Sequence, residues 1–148
     1  MSHQQLLGLL VVLAIIGGII ISRQALAPNN LLAIQLKGTS FSVEVANNSS
    51  TRAQGLSGRP ALAPNQGMLF VFPADTKPGF WMKEMNFSID IVWLDSSGAV
   101  VGIISHLKPD SYPQKFYPSQ PIRYVLELPA GLTDQLQLKT GDIIHLNA

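Results

Sequence analysis

The chain has no cysteine, which excludes disulfides, thiolate catalysis, cysteine-ligated zinc and a lipidated cysteine anchor. Charge is scarce too: only 13% of the 148 residues are Asp, Glu, Lys or Arg, against 47% apolar residues, at the top of the ordinary globular range. Histidine is limited to His3, His106 and His145, too scattered for any transition-metal ligand spacing, so no metal site is expected. No phosphate-cradling glycine pattern occurs, and no cofactor is expected. Setting aside residues 1–27, which carry only Arg23, reduces the ten basic side chains to nine, matched by nine acidic ones. Binding to a phosphate backbone needs a clustered positive surface, so nucleic acid is not an expected partner.

Part of the apolar excess is local. Leu6 to Ile21 form sixteen positions with no charged or polar side chain. As a helix they would span about 24 Å, short of the ~30 Å hydrocarbon core unless the flanks contribute. The pattern predicts an amino-terminal membrane anchor or signal segment over residues 1–27. Ala25-Leu26-Ala27 offers an A-x-A cleavage pattern, which would release a secreted form, but Pro28 follows the scissile bond. The expectation is therefore a transmembrane helix or uncleaved signal anchor through residues 6–21, with an extracytoplasmic domain in the periplasm or on the cell surface. Arg23, on the carboxyl side of the run, argues for the opposite orientation.

Residues 28–39 read as a linker and first strand, and residues 40–148 as a single domain. Leu31 to Lys37 and Phe41 to Ala46 flank Gly38-Thr39-Ser40 as a hairpin. Asn47 to Ser50 supply N-cap side chains for a short helix over 51–56. Gly67 to Phe72 is an apolar strand closed by Pro73, and Ser88 to Leu94 turns through Ser96-Ser97-Gly98 into Ala99 to Leu107. The stretch 108–121 holds four prolines and three aromatic residues, a long loop of the kind that often carries function. Tyr124 to Leu128 is a strand, 130–138 has helical character with Thr133 as N-cap, and 143–146 is a last strand. The fold class expected is α+β, mostly β: a compact antiparallel sandwich or rolled barrel of about seven or eight short strands with two short helices.

Six blocks in order, GLSGR (55–59), GMLFVF (67–72), FWMK (80–83), Ile89-Asp90-Ile91 with Asp95 behind it, YVLELPAG (124–131) and TGD (140–142), resemble those of domain-of-unknown-function family 192. The resemblance covers residues 40–146. It implies a compact β-rich α+β fold, often behind an export signal or membrane anchor, and brings no substrate or mechanism. Glu84-Met85 departs from the Asn-Thr common in that family after the Trp-Met-Lys triplet.

Asp90 lies in an apolar strand with Val92 and Leu94 on its face, so burial would demand a cation or several donors. Lys83 and Arg59 are the expected partners in a structural ion pair; the alternative is a functional acid. Glu127 repeats the pattern beside Val125, either as a second ion-pair member or with Asp90 as an acid/base pair of glycosidase type. His106, at a strand end, is either a base or a satisfied surface residue. Side chains alternate along a strand, so Phe80, Trp81 and Met82 cannot all point inward. Trp81 then packs in the core or lines a groove with Arg59, Lys83, Tyr112 and Tyr117, the ligand-binding candidates. Asp90, Glu127 and His106 are the catalytic candidates. From these residues, the expected function is a non-enzymatic binding module of the cell envelope, receiving a glycan, peptide or protein. The alternatives are a hydrolase or lyase acting on an envelope polymer through its acidic residues, and a purely structural envelope protein.

Overall fold

A computed structural model describes residues 31–146. Six strands, β1 (Leu31–Leu36), β2 (Thr39–Ala46), β3 (Gln66–Thr76), β4 (Ile89–Leu94), β5 (Val100–Leu107) and β6 (Ile122–Pro129), form one sheet in the order β1-β2-β3-β6-β4-β5. Two short helices, α1 (Ser49–Gln54) and α2 (Leu132–Gln135), complete the mostly β, α+β architecture expected from the sequence. The β1–β2 hairpin turns at Lys37-Gly38, both at positive φ. The sheet is mixed rather than antiparallel throughout, because α1 and the chain after it carry β2 across to a parallel β3. It is not a closed barrel: β1 and β5 stand at its edges.

Among the described residues there are six strands, where about seven or eight were expected. The expected last strand contributes only an isolated bridge between Ala99 and Ile143. Pro73 does not end β3; the strand runs to Thr76 through an irregularity. Val71 pairs with Tyr124 and Thr76 with Ile122, so the extra β3 residues are looped out where no ladder donor is required of a proline.

Both faces of the sheet are covered, and alternation sorts the residues between them. Leu69, Val92, Leu94, Leu126 and Leu128 share one cluster with Ile34, Phe41 and Val43 from the hairpin. Met68, Phe70, Ile91, Trp93 and Val125 form the other, roofed by Leu56, Met82 and the loops around them. All six residues of β4 are therefore buried. Gly67 is required where β3 meets β6: an added Cβ would lie 2.7 Å from the carbonyl oxygen of Glu127.

The expected transmembrane helix or signal anchor needs correcting. No helix among residues 31–146 is long and apolar enough to cross a membrane. The longer of the two α-helices has six residues, about 9 Å of rise against a ~30 Å core. Residues 6–21, on which the expectation rested, lie outside the described residues.

Candidate functional site

Asp90 and Glu127 look alike in sequence, each an acid in an apolar strand, and the fold treats them oppositely. Asp90 is 0% exposed. Its Oδ1 accepts from the backbone N–H of His106 (2.8 Å) and Gly131 (2.9 Å), and its Oδ2 from the N–H (2.8 Å) and hydroxyl (2.7 Å) of Thr133. Four donors replace the expected Lys83 or Arg59, so Asp90 is a structural clamp joining the end of β5 to the start of α2. Thr133 is accordingly not the N-cap; Gly131 holds that position and the carboxylate from β4 performs the capping.

His106, at positive φ, lays its ring over Gly131 and places Nε2 3.1 Å from Asp134 Oδ2. The neighbouring Ser105 hydroxyl meets Thr133 (2.8 Å) and Asp134 (3.3 Å) rather than the His106 ring. Among the described residues, no group of three or more His, Asp or Glu is arranged to hold a metal ion.

Glu127 projects from the other face of the sheet. On β6 it is flanked directly by Met68 of β3 and Ile91 of β4, whereas Asp90 pairs with Leu128 and faces the opposite core. The two carboxyl groups therefore do not converge as an acid/base pair. Glu127 is 7% exposed and its Oε2 has no hydrogen-bond partner. Burial pushes its carboxyl up to about 8, opposed by the Arg59 guanidinium. Arg59 is already committed: it forks onto Glu44, with Nη2 2.8 Å from Oε2 and Nη1 on Oε1. That bond holds the Glu44 carboxyl below its usual range, against a smaller opposing effect of burial. Glu44 sits beside Met68, which sits beside Glu127, so the two glutamate backbones are about 10 Å apart, two strand spacings.

Glu127 also lines a cavity of about 220 Å³ between the carboxyl end of α1 and the 78–81 segment. Phe70, Phe72, Phe80 and Trp81 supply its aromatic walls, with Leu56 and Met85 beside them. Local chemistry shapes the α1 side. Asn48 and Thr51 form a reciprocal capping box, and the helix stops at Gly55, whose φ of 51° suits glycine. An added Cβ at Gly55 would touch the Phe70 ring at 3.4 Å. Arg52 in the last turn lies 5.3 Å over the Phe72 ring and donates to the Val71 carbonyl at 3.0 Å.

At the mouth, Met82 is buried and Trp81 is 43% exposed, as alternation demands. Tyr112 stands 5.8 Å from Trp81, and Lys115 and Lys83 lie 4.7 and 5.9 Å over its ring. Tyr117 is exposed, its ring packed against Gly79, where an added Cβ would clash at 2.8 Å. The 78–83 and 112–117 segments are joined by reciprocal Phe80–Phe116 backbone bonds of 2.9 and 2.8 Å. Of the ligand-binding candidates, Lys83 and Tyr112 gather around the ring of Trp81, which alone of the three lines the cavity, while Arg59 is engaged by Glu44. Arg52, Phe72 and Lys115 went unread in the sequence; the proline-rich loop around Lys115 was the only signal.

A model of the family described as "Uncharacterized ACR", DUF192, matches residues 32–146. The chain belongs to the DUF192 family. A UPF0127 protein of Pyrococcus furiosus is 33% identical over 119 residues, covering 75% of this chain and 93% of that protein. A Sinorhizobium meliloti structure, of a protein to which transcription regulation has been ascribed, is 31% identical with a TM-score of 0.70, covering 78% of this chain and 91% of that one. A Novosphingobium aromaticivorans structure, of a protein of unknown function, is 26% identical with a TM-score of 0.71, covering 78% of this chain and 83% of that one. These relatives, some archaeal, bear no envelope role in their names. With no spanning helix among the described residues, the membrane-anchored, extracytoplasmic assignment is withdrawn. The envelope-binding reading goes with it, as do its envelope-hydrolase and structural-envelope alternatives. What stands is a DUF192 domain with a defined cavity.

Proposed function

We propose that this DUF192 domain binds a small, flat, largely apolar molecule bearing a neutral hydrogen-bonding head, such as a carboxamide or lactam edge. The observation that carries the reading is the unpartnered Glu127 Oε2, buried at the wall of an aromatic-lined cavity. Leaving a buried polar group unpaired costs about 1–3 kcal/mol, a deficit that an entering donor or acceptor removes. With its proton held up to about pH 8, the carboxyl group offers one O–H donor and one carbonyl acceptor at neutral pH. An amide edge presents the complementary pair. Aromatic walls with few convergent polar groups are the usual make-up of small-molecule sites.

Benzamide is a direct probe, titrated into the full chain by calorimetry with amide NMR to locate the shifts. Glu127→Leu should weaken binding by roughly tenfold or more, whereas Glu127→Gln, which keeps a donor and an acceptor, should stay within a few-fold. Equal affinity of the wild type and Glu127→Leu would sink the reading.

A further inference from the structure

We propose that the ligand of the Glu127 cavity is of nucleoside type: a flat heteroaromatic lactam in the inner cavity, carrying a neutral, hydroxyl-rich sugar that lies in a second hollow. The inference rests on the small-molecule reading above and adds the other half of the ligand. Its independent support is the shape of the cleft. A hollow of about 480 Å³ is lined by Ala53, Gln54, Ser57 and Trp81, and all four also line the inner cavity. Both spaces are therefore bounded by the same two walls, the carboxyl end of α1 with the turn after it on one side and Trp81 on the other. They are successive lengths of one cleft. Glu127 borders only the first length, and Ser50, Lys83 and Glu84 border only the second. The two walls are tied together, since the Ser57 hydroxyl donates to the Lys83 carbonyl (2.9 Å) and the Gly58 N–H to the Glu84 carbonyl (2.8 Å).

The two lengths differ in chemistry. Four aromatic rings surround the inner one, which suits a flat ring, whereas Trp81 is the single aromatic residue of the outer one. The rest of the outer lining is small or polar. Ser50 stands on an exposed face of α1. Gln54 spends its Nε2 on the Ser57 carbonyl (3.0 Å) and keeps its side-chain oxygen as an acceptor. Lys83 and Glu84 bring one charge of each sign, 3.9 Å apart and largely exposed, so the outer length has no net charge with which to select an ion. Neutral hydroxyl groups, which both donate and accept, match that mixed lining. The geometry of a purine lactam fits the order of the two lengths. Its glycosidic nitrogen lies across the ring system from the lactam edge, so an edge paired with Glu127 directs the sugar outward past Trp81.

Two probes with one ring test this: 9-methylhypoxanthine and inosine, which exchange a methyl group for a ribose, titrated into the full chain beside benzamide. Inosine should bind roughly tenfold tighter than 9-methylhypoxanthine. In amide NMR it should move the signals of Ser50, Lys83 and Glu84, which the methyl compound leaves in place. Ser50→Tyr, which puts a bulky ring at an exposed helical position beside the outer hollow, should remove the inosine advantage. Equal affinities for the two probes, added shifts elsewhere than at these three residues, or an advantage that survives Ser50→Tyr overturn the sugar half and leave the cavity reading intact. If neither probe nor benzamide shows Glu127-dependent binding, both fall together.

Discussion

At the scale of single residues, the domain contrasts a satisfied buried acid with an unsatisfied one. Asp90→Asn replaces an acceptor-only oxygen by an N–H₂ group facing the Thr133 or Gly131–His106 donors. A loss of about 3 kcal/mol is expected from urea unfolding, with α2 amides losing exchange protection first. Glu127 makes a pH prediction. Unfolded, it releases its proton near 4.5; folded, it holds it to about 8. Between those values unfolding releases a proton, so stability present in full below 4.5 falls as pH rises through 8, at up to about 1.4 kcal/mol per unit. Glu127→Gln should flatten that slope, and an unchanged slope would refute the assignment. Glu44 works in the opposite direction: its carboxyl is depressed by Arg59, so its contribution is lost on the acid side. Arg59→Met should weaken the fold by about 1 kcal/mol and move the Glu127 transition to higher pH, because Arg59 opposes the rise.

At the scale of elements, β3 separates what backbone geometry tolerates from what it forbids. Gly67→Ala must push β3 away from the Glu127 carbonyl, and a cost of about 1–3 kcal/mol in thermal or urea unfolding is expected. Pro73→Ala, inside the looped-out stretch, should change stability by under about 0.5 kcal/mol. The sequence made the local elements legible: the Lys37-Gly38 hairpin, a helix after Asn48, and β4 turning into β5. Those depend on capping, turns and alternation, which act over a few residues. The parallel β2–β3 pairing depends on which strands become neighbours, and no local pattern records that. The same limit applied to the acids. Alternation placed Asp90 and Glu127 among apolar neighbours, but Asp90 is satisfied by amides from residues 106, 131 and 133. Backbone donors leave no trace in residue identity, so of the two possibilities, a cation or several donors, only the cations Lys83 and Arg59 could be named from sequence. The cavity was hidden for a related reason, since Arg52, Phe72, Trp81 and Glu127 meet only through the sheet order.

At the scale of the whole molecule, one sheet serves two cores. Neighbouring residues on β4 and β6 enter opposite clusters, Ile91 beside Val92 and Val125 beside Leu126. Neither core can dissolve while the other stays packed. Leu126→Ala and Ile91→Ala should each cost about 2–5 kcal/mol and leave a single transition with unchanged denaturant slope. Far-UV dichroism and NMR intensities from both faces should coincide; two separate midpoints would contradict a shared core.

The chain holds two tryptophans, and the fold puts them in very different surroundings. Trp93 is sealed under the roof of the sheet, while Trp81 stands half in water beneath two ammonium groups. Light emitted by the first should report only unfolding, and light emitted by the second should shift to shorter wavelength when anything displaces water from the mouth. The domain thus carries its own optical gauge of occupancy, one that Trp81→Phe would silence and that allows ligands to be sought without attaching a label.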